Sequence, residues 1–191
     1  WIHESFTAYS ENLFLDYYYG KKASSEYVIG TRKSIRNDKP IIAAYNVNAS
    51  GSGDMYYKGA NMLHIIRQLI NNDEKWRTIL RGLNKTFYHK TVVTKEIEEY
   101  ISTHSGIDLS SVFNQYLRDI RIPELEYTIK GNQLKYRWTN TVKGFKLPIK
   151  VNINGDIKTL EPTTFWKTII VTNPETTFKV DPNFYITTKK L

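Results

Sequence analysis

The spacing of apolar residues changes once along this chain, near Pro123, and that change constrains the fold more than any other feature. Before Pro123 apolar residues recur every three or four positions, as in helices with one buried face. Trp76, Ile79, Leu80, Leu83 and Phe87 form one stripe, Ile97, Tyr100 and Ile101 a second, and Leu109, Val112, Phe113, Tyr116 and Leu117 a third. Thr94 and Asp108 are placed to cap the second and third helices, with Gly106 between them. After Pro123 the period becomes two: Leu125, Tyr127 and Ile129, then Leu134, Tyr136 and Trp138, separated by the hairpin signal Gly131-Asn132. Further strands are expected over 147–153, 157–160, 165–171, 177–180 and 185–188, with Asn154-Gly155-Asp156 as a second turn. These patterns predict an α+β chain, helical over 1–122 and a small β-sandwich over 123–191. A chain of 191 residues is long enough to bury a core as one domain or as two small ones.

Charge is uneven along this division. The net charge is +8, yet residues 1–120 hold 15 basic and 13 acidic side chains, and residues 121–191 hold 12 and 6. Lys130, Lys135, Arg137, Lys143, Lys146 and Lys150 carry much of the excess along apparent strands. Lysines on the outer faces of strands keep sheets soluble, and no nucleic-acid recognition motif accompanies them, so a solvated face is the expected role. The chain has no Cys, which excludes disulfides, thiol chemistry and Cys-based metal sites. No apolar run approaches membrane-spanning length, and no signal peptide is visible. The chain opens on Trp1, inside what reads as a motif, as expected of a piece of a longer protein.

That opening stretch, Trp1 to Glu11, reads as a helix that ends near Gly20, with Ile2, Phe6, Tyr9, Leu13 and Tyr17 as its buried face. Glu4 and Glu11 lie two turns apart on roughly one side, beside the apolar stripe. A carboxylate so placed needs a partner, because burying an unpaired charge is costly. An Arg, a Lys, the helix N-terminus or a metal ion could serve. His3-Glu4 does not begin an H-E-x-x-H zinc motif, since the fourth residue after His3 is Thr7. His64, His89 and His104 form no helical pair, so this chain alone cannot supply a three-ligand zinc site. Residues 46–54, rich in Asn, Ser and Gly, read as a loop. It leads into a helix with Asp54 as its N-cap and Met62, Leu63, Ile66, Leu69 and Ile70 as its core face.

Several of these segments resemble the zinc aminopeptidase N family of gluzincin metallopeptidases. In that family a helix of pattern W-L-N-E-G-F-A-x-Y-x-E follows the H-E-x-x-H helix, and its first Glu is the third zinc ligand. Trp1-Ile2-His3-Glu4-Ser5-Phe6-Thr7-Ala8-Tyr9-Ser10-Glu11 is similar, with His3 in place of Asn and Ser5 in place of Gly. The resemblance implies Glu4 as a zinc ligand, with Glu11 supporting. The family's Y-x-K-G-A motif resembles Tyr56-Tyr57-Lys58-Gly59-Ala60, and it implies Tyr56 as the residue that stabilises the transition state. A phenol there makes chemical sense: attack of an activated water on a peptide carbonyl creates an oxyanion, which needs a preorganised donor. The alternative role for Tyr56 is an aromatic packed at a helix start. The stretch from Ser105-Gly106-Ile107-Asp108-Leu109 to Ile122-Pro123-Glu124-Leu125 also resembles the family's S-G-x-D-L-x-x-F-F-x-Q-W leading into G-x-P-x-L.

The resemblance implies half of a gluzincin catalytic domain over 1–122 followed by a β-module over 123–191. It implies a zinc-dependent aminopeptidase that hydrolyses N-terminal peptide bonds when complete, with zinc as cofactor and a peptide substrate. The partner within the full protein is the rest of its own catalytic domain, with no nucleic acid and no membrane. Neither the H-E-x-x-H helix nor the family's G-x-M-E-N strand, which binds the substrate's free amine, occurs in this sequence. Alone, the chain is therefore expected to be inactive and to bind zinc weakly. A catalytically dead relative acting as a peptide-binding or assembly module is the alternative, and an unrelated basic binding protein a third. The sequence itself does not locate the protein; the family points to the periplasm or extracellular space.

Overall fold

The computed structural model describes residues 1–171 and 177–191. Five helices come first: α1 (Ile2–Gly30), α2 (Tyr57–Ile70), α3 (Asp73–Thr86), α4 (Thr94–Ser105) and α5 (Ser110–Arg118). Seven strands follow: β1 (Glu124–Lys130), β2 (Gln133–Thr139), β3 (Ile149–Ile153), β4 (Asp156–Leu160), β5 (Lys167–Ile170), β6 (Phe178–Val180) and β7 (Thr187–Lys190). The strands form a four-stranded sheet in the order β5-β2-β1-β7 and a three-stranded sheet in the order β4-β3-β6. The fold is α+β, and the change of element type falls between Arg118 and Glu124.

Both hairpins form where the sequence signals them. Gly131 adopts a φ of 57° between the paired ends Lys130 and Gln133. Asn154 and Gly155, at 56° and 96°, close the β3–β4 pair through Ile153 and Asp156, a two-residue loop whose twist matches that of its strands. The C-terminal strand β7 returns to lie parallel to β1.

The first helix differs from its expected form in an informative way. Gly20 has non-helical angles (φ 84°, ψ 170°) and kinks α1 into two stretches. The buried side of α1 is Ser5, Ala8, Tyr9 and Asn12, one position off the apolar stripe. Tyr9 alone of that stripe is fully buried; Ile2, Phe6 and Leu13 are partly covered, and Tyr17 is 81% exposed. The cause is the closeness of α2: small side chains sit at the contact, and the bulky ones are displaced to its flank.

The α2 helix runs through the middle of the helical part and is buried on all sides from Lys58 to Arg67. Its polar groups are therefore partnered, as burial demands. The Asn61 amide donates to the carbonyls of Val28 and Tyr57 and accepts from Arg32 Nε at 2.7 Å. Arg67 is held between Asp16, by a very short contact, and Asp73 at 2.9 Å, and Asp73 also pairs with Lys21 at 2.7 Å. His64 lies between Asn12 and Asn183, with its Nε2 2.8 Å from Asn183 Oδ1. Other bonds join α5 to the segments that precede and connect the strands: Tyr116 donates to the Tyr185 carbonyl at 2.6 Å, and Gln115 donates to the Arg121 carbonyl while accepting from the Val142 N–H, each at 2.7 Å.

Two cap assignments change. The α4 helix starts with Glu96 accepting the Val93 N–H at 2.8 Å, while Thr94 accepts from the Trp1 indole at 3.1 Å. Asp54 lies in a 3-10 turn, Gly53–Met55, whose N-cap is Ser52.

Burial pulls the His64 pKa down to about 4 from the ordinary 6.5. Between those values the unfolded chain binds the proton and the folded chain does not, so acid favours unfolding in that window. Chemical denaturation at pH 7 and pH 4.5 should show stability falling with pH, by up to about 3 kcal/mol from this residue across the whole window. His64→Gln should flatten that part of the profile; an unchanged profile would contradict it.

Candidate active site

The site is built on two turns far apart in sequence. Glu4 stands half-buried in the first turn of α1, where the helix N-terminus favours a carboxylate. The start of α1 is anchored by the Trp1–Thr94 bond. Among the described residues Glu4 forms no ion pair. Tyr56 joins the 3-10 turn to α2 and is 43% exposed, so it is not packed as a core aromatic.

The contact between these turns is direct. Ser5, next to Glu4, donates its hydroxyl to the carbonyl of Met55, next to Tyr56, at 2.6 Å. Gly59, one turn into α2, faces the same serine: a Cβ there would come within 1.9 Å of Ser5 Oγ. The fold thus brings together the two turns that carry the sequence-selected residues.

The Tyr56 turn is held rigidly from behind. The Asp54 carboxylate accepts the N–H groups of Arg36 at 2.9 Å and Asn37 at 2.6 Å. Ser52 donates to Asp38 at 2.5 Å, accepts from the Asp54 N–H at 3.1 Å, and its own N–H reaches the Pro40 carbonyl at 2.9 Å. Gly51 packs against the backbone of Ile41, where a Cβ would lie 1.6 Å from the carbonyl oxygen. Lys58 is buried and donates to the Asp119 carbonyl at 2.9 Å, tying the start of α2 to the end of α5. Burial lowers its pKa to about 8.

Glu11 is exposed and bonded by the Tyr27 hydroxyl through a very short contact across the Gly20 kink. That bond raises the Tyr27 pKa to about 12. Glu11 therefore braces the two stretches of α1. The displaced residues Ile2, Phe6 and Leu13 face Leu80, Phe87 and Val92 across an open groove of about 630 Å³, whose lining includes neither Glu4 nor Tyr56. Sequence spacing missed the roles of Ser5 and Asp54, which are set by partners distant in the chain; Lys58 had a signal, its place in Tyr56-Tyr57-Lys58-Gly59-Ala60.

Glu4 fits a metal in type, since a carboxylate is one of the side-chain donors that zinc accepts. Among the described residues, no three His, Asp or Glu side chains group as a ligand set.

An exchange that adds bulk at the tight turn tests this geometry. Gly51→Ala should expose the 35–56 loop to hydrogen exchange and destabilise the chain by about 1–3 kcal/mol, because the backbone of Ile41 cannot move aside. Unchanged protection and stability would contradict the tight approach.

Comparison with known proteins agrees with this architecture. The crystal structure of Legionella pneumophila aminopeptidase A in complex with aspartic acid is similar in fold, with a TM-score of 0.60 and 18% sequence identity. The match covers 97% of this chain and 23% of that one, so the chain spans well under half of that protein. Comparison with curated proteins gives no match. The family model described as the Peptidase family M1 domain matches residues 1–116, and the chain belongs to that family.

Proposed function

We propose that this chain is part of the catalytic domain of a zinc-dependent aminopeptidase, with Glu4 as a zinc ligand and Tyr56 as the donor to the oxyanion. The observation that carries the reading is the Ser5–Met55 bond, which joins the turn of Glu4 to the turn of Tyr56. Membership of the M1 peptidase family supplies the class of chemistry, a metal-assisted hydrolysis of a peptide bond. Bound zinc would act as a Lewis acid toward the scissile carbonyl. The chain's own residues have separate tasks. Glu4 would offer a carboxylate oxygen to the metal without first breaking an ion pair. Tyr56 would donate its O–H to the developing oxyanion from a turn that does not have to reorganise.

The two remaining ligands would come from other parts of the longer protein, so the 191-residue chain alone would not hydrolyse peptides. The groove between Ile2, Phe6 and Leu13 on one wall and Leu80, Phe87 and Val92 on the other is mostly apolar. In this reading it receives an apolar helix of the same catalytic domain, and the two small sheets form a β-sandwich module beside it.

The test uses the longer protein that carries this chain, purified with zinc. Glu4→Gln should lower both zinc content and activity by at least tenfold. Tyr56→Phe should keep zinc and KM but reduce kcat by about 100- to 1000-fold, the usual loss of one oxyanion donor. Full zinc content and activity in Glu4→Gln would overturn the assignment. A zinc-free protein that binds peptides without cleaving them would favour the dead relative.

A further inference from the structure

Ser5 is unusual among the serines of α1. Ser10 bonds the Thr7 carbonyl of its own helix, the local back-bonding common for serine in helices. Ser5 turns away from α1 instead and bonds Met55, fifty positions later in the chain. It is fully buried, and its own N–H satisfies the Trp1 carbonyl at 2.8 Å in the ordinary helical way. The hydroxyl is therefore free of its helix and committed to the neighbouring turn.

The point of attachment matters. The Met55 carbonyl and the Tyr56 N–H belong to one rigid peptide plane. Holding that carbonyl fixes the plane from which Tyr56 departs. On the other side, Ser5 is joined by a single peptide plane to Glu4. Gly59 completes the contact by leaving room: a Cβ at that position would lie 1.9 Å from Ser5 Oγ and 2.7 Å from Ser5 Cβ.

We propose that Ser5 is a positioning residue that sets Tyr56 relative to Glu4 through its bond to the Met55 carbonyl. The proposal rests on the functional reading of Glu4 and Tyr56 given above. Ser5 touches neither substrate nor metal; it acts by restricting where the Tyr56 phenol can be. Its removal should therefore affect the chemical step more than substrate binding, because a misplaced donor costs rate even when the substrate is held.

The experiment compares Ser5→Ala with Ser24→Ala, a control in which another buried hydroxyl of α1, one without a partner among the described residues, is removed. Each variant of the longer protein is labelled with 3-fluorotyrosine, and the Tyr56 fluorine signal is assigned by Tyr56→Phe. Ser5→Ala should shift or broaden that signal and Ser24→Ala should not. In the longer, zinc-loaded protein, Ser5→Ala should cut kcat roughly tenfold to hundredfold while KM and zinc content hold. Gly59→Ala should disrupt the same signal by forcing the turns apart, and Ser5→Gly combined with Gly59→Ala should restore folding. An unchanged Tyr56 signal and unchanged kcat in Ser5→Ala would overturn the positioning role. A shifted fluorine signal with full zinc and activity in Glu4→Gln would instead overturn the functional reading while leaving the contact established.

Discussion

The close approach of α1 to the start of α2, made possible by Gly59, governs the helical part of this protein. Two helices packed through bulky side chains lie 8–10 Å apart. Here a serine and a glycine meet with no space for one additional carbon. That contact decides which side of α1 is buried. It draws in Ser5, Ala8, Tyr9 and Asn12 and leaves Ile2, Phe6 and Leu13 on the rim of a groove. It also brings the turn of Glu4 against the turn of Tyr56, the two positions on which the peptidase chemistry would depend.

The same closeness explains why so much polar chemistry lies inside. The α2 helix is enclosed by α1, α3 and α5, so Lys58, Asn61, His64 and Arg67 are all buried. An unpaired charge there would be costly, and each cation has found partners: Arg67 two carboxylates, Lys58 a backbone carbonyl. Breaking such a pair costs more than making it gains, which gives these groups a role in specifying one arrangement of helices. Glu4 stands apart from this pattern. It is half-buried and unpaired among the described residues, although cations are abundant in a chain of net charge +8. A carboxylate left open at the junction of two braced turns is consistent with a ligand position.

Much of the fold was legible in the sequence because it follows local rules. The stripes of α3 to α5, the change to period two after Pro123 and the turns at Gly131-Asn132 and Asn154-Gly155 depend on neighbours within a few residues. The positions of Glu4 and Tyr56 were legible only as motifs. What failed were inferences that assumed the apolar stripe of α1 to be its core face. Tyr17 is exposed because the close approach of Gly59 to Ser5 turns a face one position off the apolar stripe inward, and of that stripe only Tyr9 is fully buried. Asp54 looked like a cap, yet its carboxylate serves the backbone at Arg36 and Asn37, a pairing that spacing does not reveal. The Arg67 cluster joins residues 16, 67 and 73 and has no local signature.

In the proposed function, the crossing at Ser5 and Gly59 would present Glu4 and Tyr56 to one metal ion. Anomalous diffraction at the zinc edge, from crystals of the longer protein loaded with zinc, tests it most directly. The expected result is a zinc peak within about 2.0–2.2 Å of a Glu4 carboxylate oxygen, with the Tyr56 hydroxyl facing the same opening. A fully occupied zinc site with Glu4 outside its coordination shell, or with Tyr56 turned to the opposite face, would contradict it.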